Sequence, residues 1–314
     1  MTKKLAFVFP GQGSQKVGML SELAVAYPSL RETFDEASET LGYDMWQLIQ
    51  QGPQEDLNLT ERTQPILLAS SVALWRLWQS CCGAMPELMA GHSLGEWSAL
   101  VCSGAVQFTD ALQIVRARGQ YMQQAVPLGE GAMAAIIGLA DDKIIDACAQ
   151  ASSLGVVDAV NFNAPGQVVI AGSSSAVERA IELCKQAGAK RALPLPVSAP
   201  FHTSLMRPAV DQLSELVDAI TFSAPSIPVV HNVHGKVEDD PQKIGSLMLE
   251  QIYHPVRWVD CINYLSDSGV TDLLECGPGR VLSGLAKRIN RELSVSATDD
   301  PESFEASLQQ FPSC

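Results

Sequence analysis

The pentapeptide GHSLG at residues 91–95 constrains the fold of this chain more than any other feature. The apolar residues 88–90 before it predict the end of a short strand, and residues 94–102 predict a helix. A serine on such a strand-to-helix turn is strained with its hydroxyl exposed, and the flanking glycines permit the two elements to approach closely. This context is typical of a nucleophile elbow, which would make Ser93 the nucleophile. An ordinary glycine-rich turn, with the serine as helix N-cap, fits the same residues.

Alternating strands and helices are predicted up to about residue 126 and again after residue 197. Residues 5–9 form a continuous apolar run, as expected for a strand buried on both faces of a parallel sheet. This alternation is typical of an α/β fold. The other elements expected here are helices opening at Thr63-Gln64-Pro65, at Asp110 with Thr109 as cap, near 204 and 244, and after the turn at 277–279, and strands at 229–230 and 272–275.

The pattern changes between residues 127 and 197. Strands are predicted at 132–137, 156–162, 167–171 and 192–195, with helices at 142–150 and, capped by Ser173, up to 186. The order β-α-β-β-α-β is that of a ferredoxin-like unit. We therefore expect a small ferredoxin-like domain at 127–197, inserted into a large α/β domain formed by 1–126 and 198–314.

Composition excludes several classes of protein. Of 314 residues, 46% are hydrophobic and 18% charged, which indicates a folded globular chain. A net charge of −14 disfavours nucleic acids and anionic membranes as partners. No apolar run approaches the ~20 residues of a membrane span, and the apolar segment at 5–9 is too short for a signal peptide, so we expect a cytoplasmic protein. The eight cysteines lack C-x-x-C spacing and are expected to be free thiols.

An activated serine needs a base within hydrogen-bond reach, and the chain has five histidines. His92 precedes the serine, so its side chain should point away and pack beneath the turn. His231 and His234 form an H-x-x-H pair without the cysteines or acidic pattern of a common metal site. His254, before a proline, is expected to be structural. His202 lies where the chain re-enters the large domain, beside the expected cleft. By elimination His202 is the best base, and no metal is expected.

Two backbone N–H groups are candidates for an oxyanion hole. Enzymes with a nucleophile elbow commonly use the residue after the nucleophile, here Leu94, and a second loop. The loop GQGSQK at 11–16 follows the first strand, which makes the Gln12 N–H the second candidate. This loop lacks the third glycine of a dinucleotide-binding fingerprint, so nucleotide binding is not expected.

Two arginines lie on the helix that follows the elbow helix. Arg116 fits a solvated helix face. Arg118 precedes Gly119, whose lack of a side chain suits a helix that passes close to another element. An arginine facing a cleft can hold a carboxylate through two parallel hydrogen bonds, although the spacing alone also allows a solvated face.

Seven segments together carry a resemblance to a known family. The chain resembles the malonyl-coenzyme A:acyl carrier protein transacylases of fatty-acid synthesis over nearly its whole length. Phe201 resembles the malonyl-specific members, and Trp97 stands where the family usually has tyrosine. The segments occur in the order FVFPGQGSQ, GHSLGEWSALV, RARG, NFNAPGQVVIAG, APFHTSLM, QIYHPVRW and ECGPGRVL.

The resemblance implies a fold, a reaction and roles for particular residues. The fold would be an α/β-hydrolase-like large domain with a parallel sheet and an inserted ferredoxin-like domain. The reaction would be ping-pong transfer of malonyl from malonyl-CoA to acyl carrier protein, in fatty-acid or polyketide synthesis, without a metal or redox cofactor. The implied roles are nucleophile for Ser93, base for His202, carboxylate clamp for Arg118, oxyanion donors for the Gln12 and Leu94 N–H groups, and orientation of the histidine by the Gln251 carbonyl.

Acyl carrier proteins are strongly acidic, so a chain of charge −14 needs local basic groups to bind one. The clearest clusters are Lys190-Arg191 and Lys287-Arg288, which we expect to dock the carrier. Two other functions stay open at this point. A serine hydrolase of similar architecture would usually carry its histidine near the C-terminus. A non-catalytic scaffold would be expected to have lost Ser93, His202 or Arg118.

Overall fold

The computed structural model describes residues 3–197 and 199–313 and contains two β-sheets. The strands are β1 Leu5–Phe9, β2 Leu88–Gly91, β3 Gly131–Ile137, β4 Val157–Ala164, β5 Gln167–Ser173, β6 Arg191–Pro194, β7 Val229–His231, β8 Lys236–Val237, β9 Asp272–Glu275 and β10 Ser294–Ala297. The helices are α1 Ser21–Ala26, α2 Leu30–Leu41, α3 Met45–Gln51, α4 Gln54–Leu57, α5 Thr60–Ser80, α6 Leu94–Cys102, α7 Phe108–Gln124, α8 Asp141–Ala151, α9 Ser174–Gln186, α10 Arg207–Asp218, α11 Pro241–Glu250, α12 Trp258–Asp267, α13 Val281–Ile289 and α14 Pro301–Gln310.

The larger sheet has six strands in the order β10-β9-β1-β2-β7-β8. Its first five strands are parallel, and β8 pairs with β7 in the antiparallel direction at one edge. Residues of β1 alternate between two apolar clusters, with Phe7 and Phe9 in one and Ala6 and Val8 in the other. Helices therefore cover both faces of this sheet, which explains the uninterrupted apolar run predicted for β1.

The smaller sheet has four antiparallel strands in the order β4-β5-β3-β6. Helices α8 and α9 pack on it and enclose a separate apolar cluster that includes Ile136, Val168 and Ile170. The β-α-β-β-α-β order predicted from the sequence is confirmed, and with it the mixed α/β fold with a second, antiparallel sheet. The domain boundaries at 127 and 197 stay predictions, and Ser198, where the second large-domain segment would begin, lies outside the described residues.

Three local predictions need correction. Helix α5 begins at Thr60 rather than at Thr63, and Pro65 lies inside it. The proline removes one hydrogen bond, but the helix is buried from residue 63 to residue 75, and that packing outweighs the loss. Helix α7 begins at Phe108, so Thr109 lies within its first turn rather than at the cap. Ser173 does precede α9, but its side chain makes no capping hydrogen bond.

None of the helices within the described ranges combines the length and the apolar character that a membrane span requires. The seven cysteines in those ranges are all free, and five of them are buried.

Candidate active site

Ser93 occupies the turn between β2 and α6 in a strained backbone conformation, with φ 52° and ψ −107°. The turn is possible because its glycines leave no room for side chains. A Cβ on Gly91 would lie 1.9 Å from the Gly95 carbonyl carbon, and one on Gly95 would lie 2.0 Å from the Phe9 carbonyl oxygen. The serine side chain makes no capping hydrogen bond to α6. The alternative of an ordinary N-cap is therefore wrong, and the geometry is that of a nucleophile elbow.

His202 is the histidine whose side chain contacts this serine. Its Nε2 lies 2.8 Å from Ser93 Oγ, and its Nδ1–H donates to the backbone carbonyl of Gln251 at 2.8 Å. The carbonyl only accepts, so it fixes the tautomer that leaves Nε2 free to take the serine proton. Burial and the nearby Arg118 guanidinium lower the pKa of His202 to about 3, so its imidazole is neutral at physiological pH.

Arg118 is buried beside the serine, with 1% of its surface exposed. Its Nη1 donates to Gln64 Oε1 at 2.7 Å, and its Nη2 donates to Gln251 Oε1 at 2.9 Å and to Ser93 Oγ at 3.2 Å. Among the described residues its acceptors are thus all neutral, and its Nε has no partner. Burial lowers the pKa of Arg118 to about 10, which still leaves it charged at neutral pH. The arrangement is a desolvated cation next to the Ser93 hydroxyl.

The alternative of a solvated helix face holds for Arg116 and is wrong for Arg118. Arg116 is exposed and donates to the Leu41 carbonyl at 3.1 Å. The close approach expected at Gly119 also exists, since a Cβ there would lie 2.5 Å from the Thr60 carbonyl oxygen. Helix α7 can therefore press against the start of α5, which carries Gln64.

The two candidate oxyanion donors belong to the elbow and to the loop that contacts it. Leu94 is the first residue of α6, where a backbone N–H has no acceptor within the helix. The N–H of Ser93 is already committed to Asn232 Oδ1 at 2.7 Å. The loop that carries Gln12 runs directly against the elbow, since a Cβ on Gly11 would lie 2.5 Å from the His92 carbonyl oxygen.

The other histidines have structural partners. His92 points away from the serine, as predicted, with Nε2 2.7 Å from Asn163 Oδ1 and its ring against Trp258. His231 is fully buried and donates from Nδ1 to Glu96 Oε1 at 2.6 Å. His254 lies in a cavity wall with its ring against Tyr253. The residues described here contain no cluster of three side chains able to hold a metal ion.

A cavity of about 690 Å³ has His202 in its wall and lies beside β4 of the small sheet. Arg207 lies in its wall with its guanidinium 4.2 Å from the centre of the Tyr253 ring, and Arg257 lies nearby. Phe162 of β4 and Asp141 of α8 form the side that belongs to the small sheet. The cavity thus reaches His202 from the side of the small sheet, and neither Ser93 nor Arg118 is among its lining residues.

Three residues of the site were not predicted from the sequence: Gln64, Glu96 and Asn232. Each contacts a predicted site residue through its side chain, but each comes from a different segment of the chain. Of the three, only Glu96 lies next to the serine in the sequence, and no local pattern marks Gln64 or Asn232. The side chain of Gln251 was also missed, because only its backbone carbonyl was expected to act.

Comparison with known proteins identifies the family of this chain. The acyl transferase domain family matches residues 6–288. A malonyl CoA-acyl carrier protein transacylase of Salmonella typhimurium is 57% identical over 98% of this chain and 99% of its own length. A crystal structure of an acyl carrier protein S-malonyltransferase from Vibrio cholerae superimposes with a TM-score of 0.95 at 57% identity, covering 97% of this chain and 99% of that one.

A third relative was solved together with its partner. It is a malonyl-transacylase in complex with a type II polyketide synthase acyl-carrier protein, 53% identical, with a TM-score of 0.97 over 98% of this chain and 100% of that one. Its likeness extends over both sheets of the present chain, because almost every residue is covered. From the family match and these identities, the chain belongs to the acyl transferase family, among the malonyl CoA-acyl carrier protein transacylases.

Proposed function

We propose that this protein transfers malonyl from malonyl-CoA to the phosphopantetheine thiol of an acyl carrier protein, through a malonyl ester on Ser93. One observation carries the proposal: Arg118 Nη2 lies 3.2 Å from Ser93 Oγ, and among the described residues the charged guanidinium has only neutral hydrogen-bond acceptors. A buried cation is costly without a counter-charge, so the site favours an acyl group that brings its own carboxylate. Malonyl is such a group, and the relatives named above carry malonyl in their names.

The first half-reaction acylates the serine. His202 Nε2 takes the proton of the Ser93 hydroxyl while Oγ attacks the thioester carbonyl of malonyl-CoA. The N–H groups of Gln12 and Leu94 stabilise the oxyanion, and one such donor is typically worth about 3 kcal/mol. The intermediate then expels the coenzyme A thiolate, which takes the proton from His202. The malonyl ester remains on Ser93.

The second half-reaction runs the same steps in reverse with a different thiol. The carrier's phosphopantetheine thiol gives its proton to His202 and attacks the ester carbonyl. The intermediate collapses, and Ser93 Oγ takes the proton back as the malonyl thioester leaves. The residues present supply every proton transfer, so the proposal includes no metal ion or redox cofactor. A cytoplasmic location and a supply of malonyl units to fatty-acid or polyketide synthesis belong to the same proposal.

Incubation with malonyl-CoA and a holo acyl carrier protein tests this function. We expect the enzyme's intact mass to increase by one malonyl group and the carrier to become malonylated. Release of malonate without malonylation of the carrier would identify a hydrolase. An unmodified enzyme together with an unmodified carrier would identify a non-catalytic protein.

The pH dependence of acylation should reveal the low pKa of His202. A base acts only when it is neutral, so acylation is lost as the pH falls through its pKa in the free enzyme. Because that pKa is lowered to about 3, kcat/KM for acylation should stay constant as the pH falls from about 8 to about 5. Stopped-flow acylation with malonyl-CoA measures this directly. A loss of activity centred near pH 6.5, the value of an ordinary histidine, would contradict the assignment.

The four basic residues expected to dock the carrier are exposed. Arg191 of β6 and Gln167 of β5 both pair with Ile137 of β3, which lies between them, so they are about 10 Å apart. Arg288 donates a hydrogen bond to Gln167 Oε1. The N–H of Gly166, next to Gln167, donates to Asp141 in the wall of the cavity. Arg191 and Arg288 therefore lie near each other and close to the cavity, and Lys190 and Lys287 adjoin them in the sequence.

Reversing charge at Lys190 and Arg191 to glutamate should raise the KM for the carrier protein and leave acylation by malonyl-CoA nearly unchanged. The effect should shrink at high salt, because exposed charges are screened. Steady-state transfer and single-turnover acylation separate the two half-reactions. Glutamate at Arg179 and Lys185 on α9 is the matched control, since it changes the net charge equally at another exposed site. Equal damage to both half-reactions would contradict docking at this surface.

A further inference from the structure

Glu96 is a buried carboxylate on the elbow helix that touches none of Ser93, His202 and Arg118 through its side chain. Its Oε1 accepts from His231 Nδ1 at 2.6 Å. Its Oε2 accepts from Gln251 Nε2 at 2.7 Å and from the backbone N–H of Asn232 at 3.0 Å. Burial of a carboxylate is tolerated when it is paired and hydrogen-bonded, and these three donors meet that condition. Two of the three donors belong to residues that contact the site.

The first of these residues, Asn232, forms hydrogen bonds to the backbone of the elbow. Its Oδ1 accepts from the Ser93 N–H at 2.7 Å, and its Nδ2 donates to the Gly91 carbonyl at 2.7 Å. Glu96 in turn fixes the backbone of Asn232. A single residue, Asn232, therefore connects the strained serine with the Glu96 carboxylate through hydrogen bonds.

The second residue, Gln251, connects Glu96 to both the base and the cation. Its carboxamide has one donor end and one acceptor end. Because a carboxylate only accepts, Nε2 must face Glu96, and Oε1 is then left to accept from Arg118 at 2.9 Å. In the reversed orientation the amide would place oxygen against carboxylate and NH₂ against guanidinium. The same residue holds His202 through its backbone carbonyl.

Charge gives Glu96 a second connection to the site. Burial lowers the pKa of Arg118, and the negative charge of Glu96 acts in the opposite direction. His231, which pairs with Glu96, has its pKa raised above the ordinary value by that carboxylate, although its burial acts to lower it. The charge of Glu96 thus offsets only part of the effect of burial on Arg118, and the carboxylate does not occupy the position beside Ser93.

We propose that Glu96 is a positioning residue for malonyl transfer, which sets the orientation of the Gln251 carboxamide and so fixes Arg118 for the substrate carboxylate. It also steadies Ser93 through Asn232. The inference rests on the proposed function, because only an acyl group with a carboxylate uses Arg118. It predicts that loss of Glu96 lowers kcat/KM for acylation by malonyl-CoA more than for acylation by acetyl-CoA. A purely structural role would lower both equally.

The test is Glu96→Gln, which keeps the size of the side chain and removes its charge. We expect kcat/KM for self-acylation by malonyl-CoA to fall about 10- to 100-fold, as misplacement of a positioning group by ~1 Å would cause. Acylation by acetyl-CoA should fall less, so the malonyl-to-acetyl ratio should decrease. Wild-type kinetics, or an equal loss with both substrates, would overturn the proposal.

Glu275→Gln is the matched control. Glu275 is a fully buried carboxylate that accepts from the backbone N–H groups of Leu282 and Ser283, and none of its hydrogen bonds within the described part of the chain reaches the site. Its replacement should lower the melting temperature and leave the malonyl-to-acetyl ratio at the wild-type value. A decrease in the ratio equal to that of Glu96→Gln would mean that general destabilisation causes the effect and would overturn the proposal.

A second variant covers the case in which Glu96→Gln does not fold. Gln251→Met removes the carboxamide and keeps the backbone carbonyl that orients His202. It breaks the connection between Glu96 and Arg118, together with the hydrogen bond from Gln251 Nε2 to the Ser93 carbonyl. We expect it also to lower the malonyl-to-acetyl ratio, and an unchanged ratio would overturn the proposal. A wild-type enzyme that forms no malonyl ester would instead refute the proposed function, so the two failures are distinguishable.

Discussion

Replacement of Ser93 by alanine should abolish the malonyl-enzyme and lower malonyl transfer to the carrier by several orders of magnitude. A ping-pong reaction passes the acyl group through the nucleophile, and no other hydroxyl is placed 2.8 Å from His202 Nε2 among the described residues. Intact mass after brief exposure to malonyl-CoA measures the first effect, and the rate of carrier malonylation measures the second.

His202→Ala is the informative partner of this variant. It keeps the hydroxyl but removes the group that takes its proton, so the malonyl ester should still form, about 10²- to 10⁴-fold more slowly. The pair thus separates loss of the nucleophile from loss of the base. A malonyl adduct that persists in Ser93→Ala would place the nucleophile on another residue and would contradict the assignment.

Contacts from distant parts of the chain stabilise the strained backbone conformations at this site. Ser93 has φ 52° and His202 has φ 65°, and such conformations typically cost about 1 to 3 kcal/mol for residues other than glycine. Asn232 holds the backbone N–H of Ser93, and Gln251 holds the Ser93 carbonyl at 2.9 Å. The reacting atoms are therefore positioned by the folded network and not by the elbow alone.

The parts of the site that could be predicted are those with a local signal. The elbow has such a local signal, because a serine between two glycines, after a strand and before a helix, restricts the backbone conformation within five residues. The small sheet has one because strands and helices alternate there at short spacing. His202 followed from the rarity of histidine and from its place at the junction between the two predicted domains.

The parts that could not be predicted depend on long-range contacts. Gln251 is 158 residues from Ser93 along the chain, and Asn232 is 136 residues from Glu96. Neither spacing leaves a trace in the local sequence. The sequence could not distinguish Arg118 from a solvent-exposed arginine, because helical periodicity does not show which neighbouring element covers a given helix face. The start of α5 was misplaced for a related reason, since burial of that helix outweighs the local effect of Pro65.

Arg118 should decide which acyl group the enzyme accepts. Malonyl differs from acetyl by a carboxylate, and the guanidinium offers parallel donors that neutralise this charge and fix the thioester carbonyl against Ser93. Removal of one partner of such a buried pair typically costs about 3 to 5 kcal/mol, or roughly two to three and a half orders of magnitude in kcat/KM. Arg118→Ala should lose this amount with malonyl-CoA. Acetyl transfer should fall much less or even rise, because a desolvated cation that disfavours neutral acyl groups has been removed.

The readout is the malonyl-to-acetyl ratio of kcat/KM, compared across three variants. Arg118→Lys should restore only part of the ratio, since lysine keeps the charge but lacks the planar fork that engages both carboxylate oxygens. Arg116→Ala should keep the wild-type ratio, because that exposed side chain on the same helix donates a hydrogen bond to the Leu41 carbonyl, away from Ser93 and His202. A wild-type ratio in Arg118→Ala would mean that another group binds the substrate carboxylate, and the main support for a malonyl substrate would then be lost.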